Sequence, residues 1–453
     1  MEQFNQIIGQ ISDFVWGPYM LTFLVGTGVY LSLRLFFLQF TMLPFALKQA
    51  FMPHKKHGKK SDGSDHEGDV SQFGALMTAL SATIGTGNIA GVATAVVLGG
   101  PGAVFWMWIT AIFGMATKYA EAILAVKYRV KNERGEMSGG PMYYLEHGCK
   151  MKWLAIAFAL FGSIAAFGIG SSVQSNSVAL SVQSSLGIEP WITGVVLTVF
   201  TGLVILGGIK SIARASSVIV PVMAIVYVLG GLVIIFTNLD KLWPAVSLIF
   251  NDAFTGQAVA GGAIGAVIRY GVARGVFSNE AGMGSAPIAA AAAKTDHPGR
   301  QALISMTGTF LDTIIVCSIT GIVLVMGDMY MGGERGAALT VQTFNLLLPG
   351  FGGFIVTFGL IFFAYSTILG WCYYGEKCAT YLLGEKAVMP YRVIYIITVM
   401  LGTIATLDLV WSLADVFNGL MAIPNLIGLV LLAGVVVKET KDFKARRASG
   451  ELP

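Results

Sequence analysis

The chain has 453 residues, of which 55% are hydrophobic and 12% charged, with a mean hydropathy of +0.72 and a net charge of +4. Soluble domains carry about 25% charge, so this composition excludes a soluble globule and a disordered chain. The weak, dispersed basic bias excludes a nucleic-acid binder. Apolar stretches recur to the end of the sequence, each near the roughly 20 residues that a span needs, which describes an all-α membrane protein in contact with lipid.

Met1 to Ser12 form an amphipathic stretch suited to a membrane surface. The first 14 residues contain no Lys or Arg, so no secretory signal is expected. The hydropathy pattern then predicts 11 transmembrane helices, at about 14–38, 72–98, 102–129, 153–184, 191–209, 215–236, 260–294, 301–327, 352–382, 391–407 and 409–437. Segments 240–257 and 336–348 read as short interfacial helices. Cys149, Cys317, Cys372 and Cys378 form no CxxC pair, and free thiols are expected.

Basic residues orient these spans. With the N-terminus outside, the inward loops 39–71, 130–152, 210–214, 294–300 and 383–390 and the C-terminal tail hold most of the Lys and Arg. The outward loops show only Lys241 and Arg335. This follows the positive-inside rule, and an even span count would misplace the basic tail.

Two spans carry polar, glycine-containing interruptions near mid-membrane. One is Ser81-Ala82-Thr83-Ile84-Gly85-Thr86-Gly87-Asn88, the other Arg274-Gly275-Val276-Phe277-Ser278-Asn279-Glu280-Ala281-Gly282-Met283-Gly284-Ser285. Unpaired backbone in hydrocarbon costs several kcal/mol per group, so a break there must line a cavity whose ligands satisfy it. The first interruption opens one group of five spans and the second opens the next five. The reading is an inverted 5+5 repeat preceded by one extra N-terminal helix, with divisions at 1–71, 72–237, 238–438 and 439–453.

The chemistry follows from backbone electrostatics. The Gly85-Thr86-Gly87 amides would hold a carboxylate, while the Ser81 and Ile84 carbonyls would hold a hard cation. Carbonyls from Val276 to Ser278 would accept from an ammonium, and the Asn279 side chain would touch either end. In the ninth span, Phe363-Ala364-Tyr365-Ser366-Thr367 places two hydroxyls at depth and Trp371 one turn further in. The centre of the fourth span is polar and includes Gln174, which is costly without a partner. Thr78 joins the candidate substrate set one turn before Ser81. Phe167, Phe277 and Trp371 are bulky neighbours that would limit the size of a bound side chain.

The run Gly99-Gly100-Pro101-Gly102-Ala103-Val104-Phe105-Trp106-Met107-Trp108 through Gly114 resembles the signature of the alanine or glycine:cation symporters, also called sodium:alanine symporters. Gly139-Gly140-Pro141-Met142-Tyr143-Tyr144 and Phe277 to Gly284 resemble that family as well. The Gly85-Thr86-Gly87-Asn88 break is similar to the first broken helix of LeuT-type sodium symporters. That resemblance implies Na⁺ as coupling ion, held by Ser81, Ile84, Phe363, Ser366 and Thr367, and a substrate carboxylate on Gly85 and Gly87. It implies a non-enzymatic, sodium-coupled importer of alanine or glycine in the cell membrane. Nothing in the chain demands a partner, so a monomer is expected, with the oligomeric state open. Proton coupling through Glu280, or a channel or intramembrane enzyme, stays open as an alternative.

Charged residues that fall in or near spans include Lys118, Glu121, Arg269, Arg274, Glu280, Asp312 and Asp415. Lys118 and Glu121, three apart on one helix, are expected to pair. Arg269 and Arg274 are expected to form gating bridges with Asp415 or Asp312. His54, His57 and His66 lie in a charged loop that reads as solvated rather than metal-binding.

Overall fold

The computed structural model describes residues 2–52, 66–255, 264–404 and 408–452. His54 and His57 lie outside these. Nearly all described residues are helical. One small antiparallel hairpin pairs Val130 with Ser138 and Lys131 with Met137.

Among the described residues, seven helices are long and apolar enough to cross a membrane: Ala103–Lys127, Lys152–Leu186, Gly208–Thr237, Pro298–Gly327, Gly352–Leu383, Glu385–Ile404 and Ala414–Leu431. Ala90–Gly99 and Pro190–Ile205 are shorter apolar helices. The structure is thus an all-α, multi-spanning fold. The second and seventh expected spans are absent from the long set because each is split into two short helices. Large apolar side chains such as Leu203, Val218, Ile225 and Phe236 face outward. An exposed apolar surface of this extent suits a bilayer and not water.

Ser71 caps the helix Gln72–Thr83 by accepting from Gly74 N at 3.0 Å. That helix stops at Ile84 and Gly85, whose backbones are extended. One 3₁₀ turn, Thr86–Asn88, leads into Ala90–Gly99. The other break follows the helix Ile264–Asn279. There Glu280, Gly282 and Gly284 all take left-handed backbone, with φ of 55°, 89° and 83°. Glycine alone adopts that conformation freely, which is why two of the three are glycine. Chain direction recovers in the short helix Ala286–Ala291, with Pro287 in its first turn.

The two broken spans are stitched together at one edge. Val70 bridges Ala293, Lys294 N donates to the Val70 carbonyl at 2.8 Å, and Gln72 Nε2 donates to Thr295 Oγ1 at 2.9 Å. Arg129 donates to the carbonyls of Ala291 and Ala293 at 2.9 and 2.7 Å. In the same seam Asp69 accepts from Met137 N at 2.9 Å, and burial pushes its carboxyl up despite that bond. Two long helices contain π-helical turns, at Ala166–Ser172 and Phe310–Cys317, a form that leaves backbone groups open to side chains. All four cysteines are free, and three are buried.

The buried pair Arg392–Glu376 ties the helices on either side of Gly384. Arg392 Nε and Nη2 donate to the two Glu376 oxygens at 2.6 and 3.0 Å, and Nη1 donates to the Leu206 carbonyl at 3.2 Å. Removing one partner of a buried pair costs about 3–5 kcal/mol, because the other charge is left uncompensated. Arg392→Leu is therefore expected to lower the thermal midpoint of the detergent-solubilised protein, and Arg392→Leu with Glu376→Leu to recover much of the loss. A single variant that melts with the native protein would show that the pair contributes no stability.

Candidate substrate and cation site

The expected cation ligands come together. Ser366 Oγ lies 3.2 Å from the Ser81 carbonyl oxygen and 2.9 Å from that of Phe363. Thr367 Oγ1 lies 3.4 Å from the Ile84 carbonyl oxygen and 2.9 Å from that of Phe363. Three carbonyl and two hydroxyl oxygens thus converge, and all five residues are buried. Two of the carbonyls lie at the open end of the helix Gln72–Thr83, Ser81 in its last turn and Ile84 at its C-cap, where no further turn claims them. The set is neutral, all-oxygen and free of carboxylates, which suits a hard monovalent cation. Glycine at position 85 permits this approach: a Cβ there would sit 2.5 Å from Thr367 Oγ1 and 3.4 Å from Gln174 Oε1.

The first break's amides have neutral side-chain partners. Gly85 N donates to Asn88 Oδ1 at 2.8 Å, and Thr86 N to Gln174 Oε1 at a longer 3.3 Å. Gln174 reaches there from the end of the π-turn, where its Nε2 donates to the Ile169 carbonyl at 3.0 Å. Gly87 packs against the second break, and a Cβ on it would lie 3.3 Å from Ser278 Cα and 3.2 Å from Phe277 Cδ1.

Asp312 joins the two breaks. Its carboxylate accepts from Asn88 Nδ2 at 2.7 Å, Ser278 Oγ at 2.9 Å and Thr313 Oγ1 at 2.7 Å. Cys317 Sγ lies 3.3 Å from Asn88 Nδ2 and 3.2 Å from Ser278 Oγ. Asp312 is fully buried and sits inside the second π-turn. It therefore holds the breaks, and the expectation that it bridges Arg269 or Arg274 is corrected.

The second break differs from expectation in two respects. Glu280 N donates to the Val276 carbonyl at 2.8 Å, so that carbonyl is closed by its own helix. Lys118 and Glu121 make no ion pair. Glu121 Oε1 instead accepts from Gly282 N, Gly284 N and Asn425 Nδ2, while Lys118 Nζ has no hydrogen-bond partner. Asn279 turns inward on the break: Oδ1 accepts from Ala281 N at 2.9 Å and Nδ2 donates to Thr313 Oγ1 at 3.1 Å.

The other candidates divide. Trp371 is buried, and its indole donates to Glu280 Oε1 at 2.8 Å. Position 170 must be glycine beside it, since a Cβ there would lie 2.3 Å from Trp371 Cβ. Phe167 packs its ring 4.8 Å from Tyr391 and 6.0 Å from Tyr395. Arg274 lies 5.5 Å above the Phe277 ring. A pocket of about 110 Å³ beyond Phe277 is lined by Arg269, Arg274, Asp415, Ser12 and Trp16. Thr78 is not brought into the set: its hydroxyl donates back to the Gly74 carbonyl at 2.8 Å, in the helix before the break.

The whole chain, residues 1–453, matches the sodium:alanine symporter family. It is 59% identical over 452 residues to the sodium/alanine symporter AgcS of Methanococcus maripaludis, covering 98% of each chain. The chain belongs to the sodium:alanine symporter family. A "Probable sodium/glutamine symporter GlnT" of Bacillus subtilis is 37% identical over 451 residues, covering 99% of this chain and 92% of the relative. The fold is similar to that of MhsT in complex with L-phenylalanine, with TM-score 0.54 and 13% identity over 82% of this chain and 98% of that one. It is also similar to a Na⁺-coupled sialic acid symporter, with TM-score 0.52 and 14% identity over 92% of this chain and 87% of that one. This family transports rather than catalyses, and its coupling ion is Na⁺.

Reading the sequence missed Asp312 as a link between the breaks and Glu121 as a partner of the second. Both were visible as charges inside apolar helices, the available signal. In this symporter Gly85→Ala should displace the Thr367 hydroxyl and raise the Na⁺ concentration for half-maximal alanine binding about tenfold or more, equivalent to ~1.4 kcal/mol. A Na⁺ titration of the purified variant checks this, and an unshifted midpoint would remove Thr367 from the cation set.

Proposed function

We propose that this chain imports alanine, and more weakly glycine, by Na⁺-coupled alternating access, as a monomer. The observation that carries the reading is the convergence of the Ser81, Ile84 and Phe363 carbonyls with the Ser366 and Thr367 hydroxyls. These five oxygens come from two different spans, two from the second and three from the ninth. Na⁺ bound among them would stabilise the conformation that accepts substrate, and binding of each would raise affinity for the other.

The two breaks suggest how the zwitterion lies. Amides of the second break already serve Glu121 and the Asn279 side chain. Those of the first serve only the neutral oxygens of Asn88 and Gln174. A substrate carboxylate would replace the Gln174 oxygen at Thr86 N and extend over Gly85 and Gly87. Its ammonium would face the C-terminal end of the Ile264–Asn279 helix, where the helix dipole is negative. Phe167, Phe277 and Trp371 would then bound the side chain.

In the same reading the chain has eleven spans, N-terminus outside and C-terminus cytoplasmic, built as an extra segment (1–71), inverted repeats (72–237 and 238–438) and a tail (439–453). The split helices supply the second and seventh of those spans. The pocket between Arg274 and Asp415 would be the outer approach.

Equilibrium binding of radiolabelled alanine to purified protein, in Na⁺ or in choline at equal ionic strength, tests the function. Binding is expected in Na⁺ alone, with glycine competing and glutamine competing weakly. Binding indifferent to Na⁺ would reject sodium coupling, and glutamine outcompeting alanine would reject the substrate.

A further inference from the structure

Glu121 has a role that its place on the long helix Ala103–Lys127 does not announce. In the second break positive φ recurs at every other residue, Glu280, Gly282 and Gly284, with Ala281 and Met283 between them outside that region. Such alternation points successive amides into one concavity, a nest that attracts an anion. The concavity is already filled. Glu121 Oε1 accepts from Gly282 N and Gly284 N, both at 3.1 Å, and from Asn425 Nδ2 at 2.6 Å. Asn425 is in turn oriented: its Nδ2 also donates to the Gly282 carbonyl at 2.8 Å, and its Oδ1 accepts from the Tyr144 hydroxyl.

Three features point to a carboxylate anion and not merely a polar filler. Oε1 takes three donors at once, as the oxygen of an acceptor-only carboxylate can. Lys118, one turn earlier on the same helix, is buried with no hydrogen-bond partner and lies within electrostatic reach of Glu121, Glu280 and Asp312. The cavity beside it, lined also by Ala122, Ala286 and Pro287, measures about 10 Å³, too little for more than one water. Solvent is nearly excluded from Lys118, and the charged groups that face it are the protein carboxylates.

We infer that Glu121 is a tethered anion that occupies the second break, a positioning residue that fixes the two halves of this span and reserves the first break for the substrate carboxylate. This rests on the transport reading above. Glu121→Ala would leave a nest of two backbone amides, one side-chain amide and a nearby ammonium. That nest has the chemistry to accept a small free carboxylate such as formate.

Proteoliposomes of native protein, Glu121→Ala and Glu121→Gln are compared for Na⁺-driven alanine uptake, with and without formate, and for equilibrium alanine binding. The native control separates the two readings: if native protein shows no Na⁺-driven uptake, the transport proposal fails, whatever Glu121 does. With native uptake present, Glu121→Ala is expected to lose about tenfold or more of its uptake, the range for a hydrogen-bonded charged group, and to regain it as formate rises, with sulfate inert. A folded Glu121→Ala protein that formate does not rescue overturns the inference. Where Glu121→Ala is not obtained folded, Glu121→Gln decides. It keeps the shape and the accepting oxygen but removes the charge, so reduced uptake with retained alanine binding supports the anion. Native uptake, or loss of binding together with uptake, overturns it.

Discussion

A backbone amide or carbonyl inside a membrane cannot be satisfied by water, and this structure contains two places where the helix that would satisfy it stops. Each break exposes several such groups, at a cost of several kcal/mol apiece if left alone. Much of the buried polar chemistry gathers around them: Asn88, Gln174 and the ninth-span hydroxyls at one, Glu121, Asn279 and Asn425 at the other, and Asp312 against both. The long helices hold these partners at the right depth.

The breaks are alike in backbone origin and opposite in how they are satisfied. At the first, neutral oxygens meet the amides, one of them at a long 3.3 Å, the contact that the proposed function exchanges for a ligand. At the second, a protein carboxylate meets them. A neutral acceptor gives way to a carboxylate because charge-assisted hydrogen bonds are roughly twice as strong. A resident carboxylate does not give way to another. In the proposed function this asymmetry gives one zwitterion one orientation, which a site with two equivalent anion nests would not impose.

The helical regions and the interruptions were legible because hydrocarbon punishes polar residues and glycine runs so strongly that their presence in an apolar stretch is informative by itself. The interfacial segments reappear as Leu239–Thr255 and Gly336–Leu347, and the fourth and ninth spans nearly to the residue. The register of Phe363, Ser366 and Thr367 came from a resemblance; in the structure the Ser366 and Thr367 hydroxyls face the Ser81 and Ile84 carbonyls. Expectations failed where partners are distant in sequence. Lys118 and Glu121 fit the helix spacing of an ion pair, yet Glu121 reaches amides more than 160 positions away. Asp312 was assigned to arginines and serves Asn88 instead. The Thr78 hydroxyl bonds to its own helix, as Ser and Thr in apolar helices commonly do.

By itself the sequence determined that the chain is helical, membrane-embedded and broken twice, since span length, polarity and glycine placement are local properties that the bilayer reads one segment at a time. It also placed glycine at 85, 87, 282 and 284, where backbone conformation or close approach demands it. Only the tertiary structure decided which buried charge answers which break. Hydrogen bonds reach about 3 Å, and whether two spans come that close depends on how all the helices pack. A carboxylate three residues from a lysine and one facing a distant amide nest look the same in a linear chain, and packing alone distinguishes them.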